Sequence, residues 1–163
     1  MKELFSKFKH ITLKNAKNMK LIDTCFFISV FSHPEHIKDF VKLENKAITS
    51  FNVEELIHVN HKLHHLKHNI RKFLEENSSI TIIDIDVHPG EVEKEKSFVN
   101  SIEPKLLENC SDPSDAVLLA VAIKTSSTVL TKDKHHIFNA AIENLAYKDD
   151  IKVYKELKDA ISL

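Results

Sequence analysis

The sequence predicts an α/β fold, a parallel sheet with helices on both faces. Three observations carry this. Short apolar runs that suit buried strands alternate with longer stretches of helical periodicity. The stretch Ala116 to Ile123 is apolar all round, as a helix buried on every side must be, and a short polar turn joins it to the apolar run Val129-Leu130. Acids then stand at the ends of such elements, where a sheet of this kind presents its ligand site.

At 163 residues the chain reads as one domain, large enough to bury a core. A composition of 42% apolar and 29% charged residues is that of an ordinary globular protein, and a net charge of −1 does not indicate a globally basic nucleic-acid binder. Gly90 is the only glycine, which excludes the glycine-rich phosphate loops that need close backbone approach. Cys25 and Cys110 lie far apart among apolar or element-end residues. They read as buried free thiols, and a zinc ribbon or redox pair is excluded by count and spacing. No apolar run is long enough to span a membrane and no secretory h-region follows the first lysines, so a cytoplasmic protein is expected.

Residues 1–19 form a basic extension, with Lys2, Lys7, Lys9, Lys14 and Lys17 against Glu3 alone. Leu4, Phe8 and Ile11 recur at helical spacing, so a short amphipathic helix is expected, either docked on the domain of residues 20–163 or serving as a basic arm for RNA, an anionic surface or a partner. Leu21-Ile22 is a short buried strand ending on Asp23, and a helix follows towards Phe31. A carboxylate at a buried strand end is costly unless paired or metal-bound, although it could instead cap the helix. A turn at Ser32 to Glu35 precedes a helix marked by Ile37, Phe40, Val41 and Leu43. Ala47 to Ser50 is a strand, and Asn52 is a fair N-cap for the next helix.

That helix, from about Val53 to Phe73, has the stripe Leu56, Val59, Leu63, Leu66, Ile70, Phe73. His58, His61, His65, His68 and Lys72 occupy the opposite face. They read as a solvated or partner-facing surface that gains charge below about pH 6.5, and the histidine pairs could alternatively bind a transition metal. Glu55 falls in the expected first turn, where it would complement the helix dipole. Ile80 to Val87 is a strand carrying Asp84 and Asp86, broken by Pro89-Gly90. Val92 to Leu107 is helical, with Pro104 as a kink or boundary. Asp112 is an N-cap, Pro113 sits at the first helical position and Asp115 at the third, where it could act as a capping-box partner. Asp133 could likewise cap a helix from Lys134 to Tyr147. Ile151 to Tyr154 is a last strand, and Leu157 to Leu163 a last helical turn or two.

Each of these acids alone has a structural explanation. Together, Asp23, Glu55, Asp115 and Asp133 all fall just after a strand or in the opening turn of a helix beside one, which are neighbouring places along one edge of a parallel sheet. Like charges about 4 Å apart repel by roughly 4 kcal/mol at an effective dielectric near 20. Such a cluster calls for a divalent cation, and an all-oxygen donor set favours Mg²⁺ or Mn²⁺ over zinc.

At these residues the sequence resembles the PIN-domain family of metal-dependent ribonucleases. Leu21-Ile22-Asp23-Thr24 is similar to the family's first motif and Ser50 to Leu56, with Glu55 before Leu56, to its second. Asp115 to Ala122 resembles the third motif and Leu130-Thr131-Lys132-Asp133 the fourth. The resemblance covers about Lys20 to Tyr154. It implies a parallel sheet of about five strands, cleavage of RNA phosphodiesters by an Mg²⁺- or Mn²⁺-activated water, a homodimer in many members, and for toxin-type members an antitoxin partner. It assigns Asp23 and Asp115 to direct metal ligation, Glu55 and Asp133 to its waters or a second site, and Thr24 and Thr131 to orienting carboxylates or substrate. The basic segment before Lys20 departs from compact toxin-type members, which begin close to the first strand.

Two rival readings stand beside this one. The first is a PIN-like module that binds RNA or protein without cutting. The second is a phosphatase built on Asp84-Ile85-Asp86-Val87, which resembles the Asp-x-Asp-x-Thr motif of haloacid-dehalogenase-type phosphatases but has His88 at the fifth position.

Overall fold

The computed structural model describes residues 2–59, 63–77, 79–133 and 151–161. Six strands form one sheet: β1 (Lys9–Thr12), β2 (Lys20–Ile22), β3 (Lys46–Thr49), β4 (Thr81–Asp84), β5 (Thr128–Leu130) and β6 (Val153–Tyr154). Their order is β1-β4-β3-β2-β5-β6, and every neighbouring pair is parallel. Parallel neighbours need crossovers, and the described helices between β2, β3, β4 and β5 supply theirs.

Because side chains alternate across a strand, the sheet feeds two cores. Ile22, Ile48, Ile82 and Leu130 enter one. Leu21, Ala47, Ile83 and Val129 enter the other. The first core takes residues of α1 (Lys2–Phe5), α2 (Thr24–Ser32), α3 (Ile37–Lys42), α4 (Ser50–Val59), α5 (His64–Glu76) and α9 (Leu157–Ile161). Its aromatic centre joins Phe27 to Phe31 at 4.8 Å and Phe31 to Phe73 at 5.0 Å between ring centroids. Burying each such ring contributes roughly 1.5–3 kcal/mol. The second core is closed by α6 (Val92–Asn100), α7 (Lys105–Asn109) and α8 (Pro113–Thr125). On α8 every residue from Ala116 to Ala122 is buried, as its unbroken apolar run requires. Small residues at Ala116, Ala120 and Ala122 let the helix sit close to its neighbours.

The buried Lys46 ammonium donates to the carbonyls of Val41, at 3.0 Å, and Leu43. It thereby satisfies acceptors at the C-terminal end of α3, where a cation is favoured.

Several elements differ from the sequence reading. The expected N-terminal helix is confined to Lys2–Phe5, and Lys9–Thr12 is instead the edge strand beside β4. Phe5 and Phe8, not Leu4 and Ile11, are the buried anchors of this segment. The single helix expected from Val53 to Phe73 is two, α4 and α5, because Leu63 has non-helical backbone. The stripe still serves one core: Leu56, Leu66, Ile70 and Phe73 are buried in it. His58, His65, His68 and Lys72 lie outside the core as expected, while His61 falls outside the described residues. The break near Pro104 separates α6 from α7. The helix expected from Lys134 to Tyr147 lies outside the described residues. The parallel sheet itself is as expected, its six strands close to the expected five, with the N-terminal segment adding the edge strand.

Candidate active site

The chain runs from β2 to β3 on one side and later returns to place β5 on the other, so β2 lies where the strand order reverses. Ligand sites in open α/β sheets lie at the carboxyl ends of strands at such a point. Ile22 is in register with Leu130, and the Asp23 amide donates to the Leu130 carbonyl at 2.9 Å. The next residue of each strand is therefore brought side by side. The Thr131 hydroxyl donates to Asp23 Oδ2 at 2.6 Å, and the Cys25 thiol donates to the same oxygen at 2.7 Å. The Lys132 amide donates to Cys25 Sγ at 3.2 Å and the Asp133 amide to Thr131 Oγ1 at 3.0 Å, so the loop after β5 is tied to the start of α2. Asp23 sits at the N-cap position but makes no side-chain cap bond; its carboxylate faces Thr131 and Cys25 instead.

Glu55 is held from the other side. Its Oε2 accepts from Thr24 Oγ1 at 2.8 Å and from Asn52 Nδ2 at 2.9 Å. Asn52 is not the N-cap, because α4 begins at Ser50. Thr49 takes that role, accepting from the Asn52 amide at 3.0 Å and donating to Asn52 Oδ1 at 2.6 Å. This pair of bonds leaves the Asn52 amide group aimed at Glu55. With the helix starting three residues earlier than expected, Glu55 is past the first turn, and the dipole explanation for it does not hold.

Asp115 lies in the first turn of α8, where the N-cap Asp112 accepts from the Ser114 amide at 2.9 Å. The capping-box role expected as one possibility is not made. The Asp115 carboxylate accepts no hydrogen bond from the described residues. Its pKa is pushed up to about 7, first by burial and then by the charges of Asp112, Asp23, Asp133 and Glu55. Burial also raises Asp23, against the hydrogen bonds from Cys25 and Thr131 and with the Asp133 charge adding to it. Glu55 is raised by burial, opposed by Thr24 and Asn52, with Asp23 pushing further. Burial and the Asp23 charge push the Cys25 thiol up to about 12, so it stays protonated and able to donate.

The four acids singled out in the sequence thus share one electrostatic neighbourhood. Among the described residues, no three His, Cys, Asp or Glu side chains are gathered closely enough to hold a metal ion as they stand. The two findings agree: the charges act at a distance, while Asp23 and Glu55 each commit one oxygen to donors of the protein. The donor set itself is all carboxylate, and Asp115 has no competing hydrogen bond from the described residues, which is the chemistry a hard dication needs.

Asp84 lies elsewhere. It pairs with His10 at 2.9 Å at the β1 side of the sheet, and the exposed Asp86 is near it in sequence, so the phosphatase reading gains no site. Sequence reasoning missed Asn52 and Cys25 as parts of the site. The i, i+3 spacing of Asn52 to Glu55 and the i, i+2 spacing of Asp23 to Cys25 were the available signals.

The family model described as PIN domain matches residues 20–142. The chain belongs to the PIN-domain family. The PIN match begins at β2, after the edge strand β1, and includes Asp23, Glu55, Asp115 and Asp133. Among solved structures, this PIN fold is similar to DNA-bound VapBC from Salmonella typhimurium, with 19% identity, a TM-score of 0.58, and 84% of this chain and 97% of that chain covered. It is also similar to VapBC2 from Rickettsia felis bound to a DNA fragment from their promoter, with 17% identity, a TM-score of 0.56, and 83% and 97% covered. No curated protein matches the chain. Among the described residues, no helix is long and apolar enough to cross a membrane.

Proposed function

We propose that this PIN-domain protein is a ribonuclease that hydrolyses RNA phosphodiester bonds and depends on Mg²⁺ or Mn²⁺. The observation that carries the proposal is the Asp115 carboxyl, lacking a hydrogen bond from the described residues and pushed up to about 7 by burial and by four acids around it. Asp23 and Asp115 would hold the ion directly, with Glu55 and Asp133 holding its waters or completing a second site. A divalent ion there supplies charge neutralisation at the phosphate and a more acidic water. The protein's own part is orientation. Thr131 and Cys25 fix the Asp23 carboxylate, and Thr24 and Asn52 fix Glu55. Such supporting bonds set how well a metal site performs.

Cleavage of structured RNA by wild type and Asp115→Asn, with Mn²⁺ and with EDTA, tests this. Cleavage is expected only with the ion, and the variant is expected to be at least about 100-fold slower. Cleavage that survives EDTA, or an unimpaired variant, would refute the proposal. A second reading, a module that binds RNA or protein without cutting, is favoured by the ungathered acids; RNA binding with no cleavage under any divalent ion would establish it.

The role as the toxin of a toxin-antitoxin pair is part of the proposal and is supported by the VapBC fold neighbours. A homodimer is proposed from the family resemblance. A cytoplasmic setting fits the two free thiols.

A further inference from the structure

Beside the carboxylate cluster lies a cleft of about 180 Å³ whose lining includes Phe26, Ser29, His36, Lys132, Glu156 and Lys158. Two residues of its lining adjoin site residues along the chain. Lys132 stands between Thr131 and Asp133, and Phe26 follows Cys25 on α2. We infer that this cleft is a phosphate subsite for the RNA strand, in which Lys132 grips a phosphodiester neighbouring the one that is cut. The inference rests on the ribonuclease reading above.

Three features argue for it. The Lys132 stem is directed, with Nζ 5.8 Å from the Phe26 ring centroid and the backbone amide tied to Cys25. Its ammonium already holds an anion, donating to Glu156 Oε1 at 2.9 Å. That carboxylate is held below the usual range by the Lys132 hydrogen bond first and by the charges of Lys132, Lys158 and His36. An oxyanion here therefore has two lysines, Lys132 and Lys158, in the lining around it. The other acid of the lining, Asp39, is paired with Lys42 at 3.1 Å, which offsets part of its charge.

Glu156 is a weak occupant. With side chains 30% and 50% exposed, the Lys132–Glu156 pair is of the kind that contributes little and exchanges readily. A phosphodiester arriving on a strand already anchored at the carboxylate cluster can take its place. Lys132, a compact point charge, suits a phosphate without demanding a base. RNA is favoured over an acidic peptide because Lys132 sits in the same loop as Thr131 and Asp133, one residue from each.

The test is binding of a single-stranded RNA oligonucleotide, by fluorescence anisotropy over a salt series, in the Asp115→Asn background. Adding Lys132→Ala is expected to weaken binding about 5- to 10-fold and to lower the salt slope by about 0.7, one single-strand phosphate. Adding Glu156→Gln, which removes the resident anion and leaves Lys132 in place, is expected to tighten binding about 2- to 5-fold. Unchanged affinity and slope in Lys132→Ala, or weaker binding in Glu156→Gln, overturns the inference. So does a Lys132→Ala variant that loses only an acidic peptide and keeps RNA. If wild type never cleaves yet binding depends on Lys132, the subsite stands and the nuclease reading falls. If wild type cleaves and Lys132 is neutral, only the subsite falls.

Discussion

At the scale of single residues, Asp115 governs how the ion-free protein responds to pH. Its folded pKa is raised from 3.8 to about 7. The folded state therefore favours the protonated acid. The associated stability is fully present below about pH 3.8 and is lost as pH rises through about 7. At roughly 1.4 kcal/mol per pH unit the shift corresponds to at most about 4.5 kcal/mol, and solvent screening of this partly exposed carboxylate brings the loss well below that. Asp115→Asn in EDTA is expected to be more stable than wild type at pH 8, by up to that amount, and equal to it near pH 4. Urea denaturation at both values checks this; a variant destabilised at pH 8 would mark the carboxylate as structural. Asp23, Thr24, Thr131 and Asp133 were legible because an acid or hydroxyl at the end of an apolar run has few other uses. Asn52 and Cys25 were not. An amide before a helix looks like a cap, and a thiol among phenylalanines looks like core. Only the Thr49 cap and the β2–β5 register reveal what they touch.

At the scale of elements, the strand–helix alternation was readable because β2, β3 and β5 are short and apolar, while the helices carry stripes. The division between α4 and α5 was hidden because the stripe passes through it without a proline or glycine. The edge strand β1 was hidden for a different reason: Lys9-His10-Ile11-Thr12 is exposed or only partly buried, so its pattern is faint. What fastens it is His10. Nδ1 faces Asp84 Oδ1 at 2.9 Å and Nε2 faces the Phe5 carbonyl at 3.1 Å. Both partners are acceptors, so only the doubly protonated ring donates to both. The His10 pKa is accordingly raised, first by the Asp84 hydrogen bond. The stabilisation is fully present below 6.5 and is lost as pH rises through the raised value. Limited proteolysis of the first eight residues is expected to quicken a few-fold between pH 6 and pH 8.5, tracking the opened population. His10→Ala should cut at the faster rate at both; a pH-independent wild type would dismiss this latch.

At the scale of the whole molecule, the proposed ion site would couple ion binding to stability. A ligand bound to the folded state at about 100 times its Kd adds roughly 2.7 kcal/mol, or about 5–10 °C in Tm for a chain of this size. Mn²⁺ is expected to raise Tm by that order at pH 8 and by much less at pH 5, where a proton occupies Asp115. Calorimetry with and without the ion at both values decides it, and an equal rise at pH 5 would place the ion elsewhere.

The pairing of Lys9 with Thr81 and of Thr12 with Asp84 carries a consequence for biosynthesis. Strand β1 leaves the ribosome without the strand it pairs with, which follows some seventy residues later, roughly 4–14 s at translation speeds of 5–20 residues per second. Through that interval Phe5 and Phe8 have no finished core to enter. This lysine-rich segment must then wait with its phenylalanines uncovered, which gives a chaperone a long opportunity to capture it.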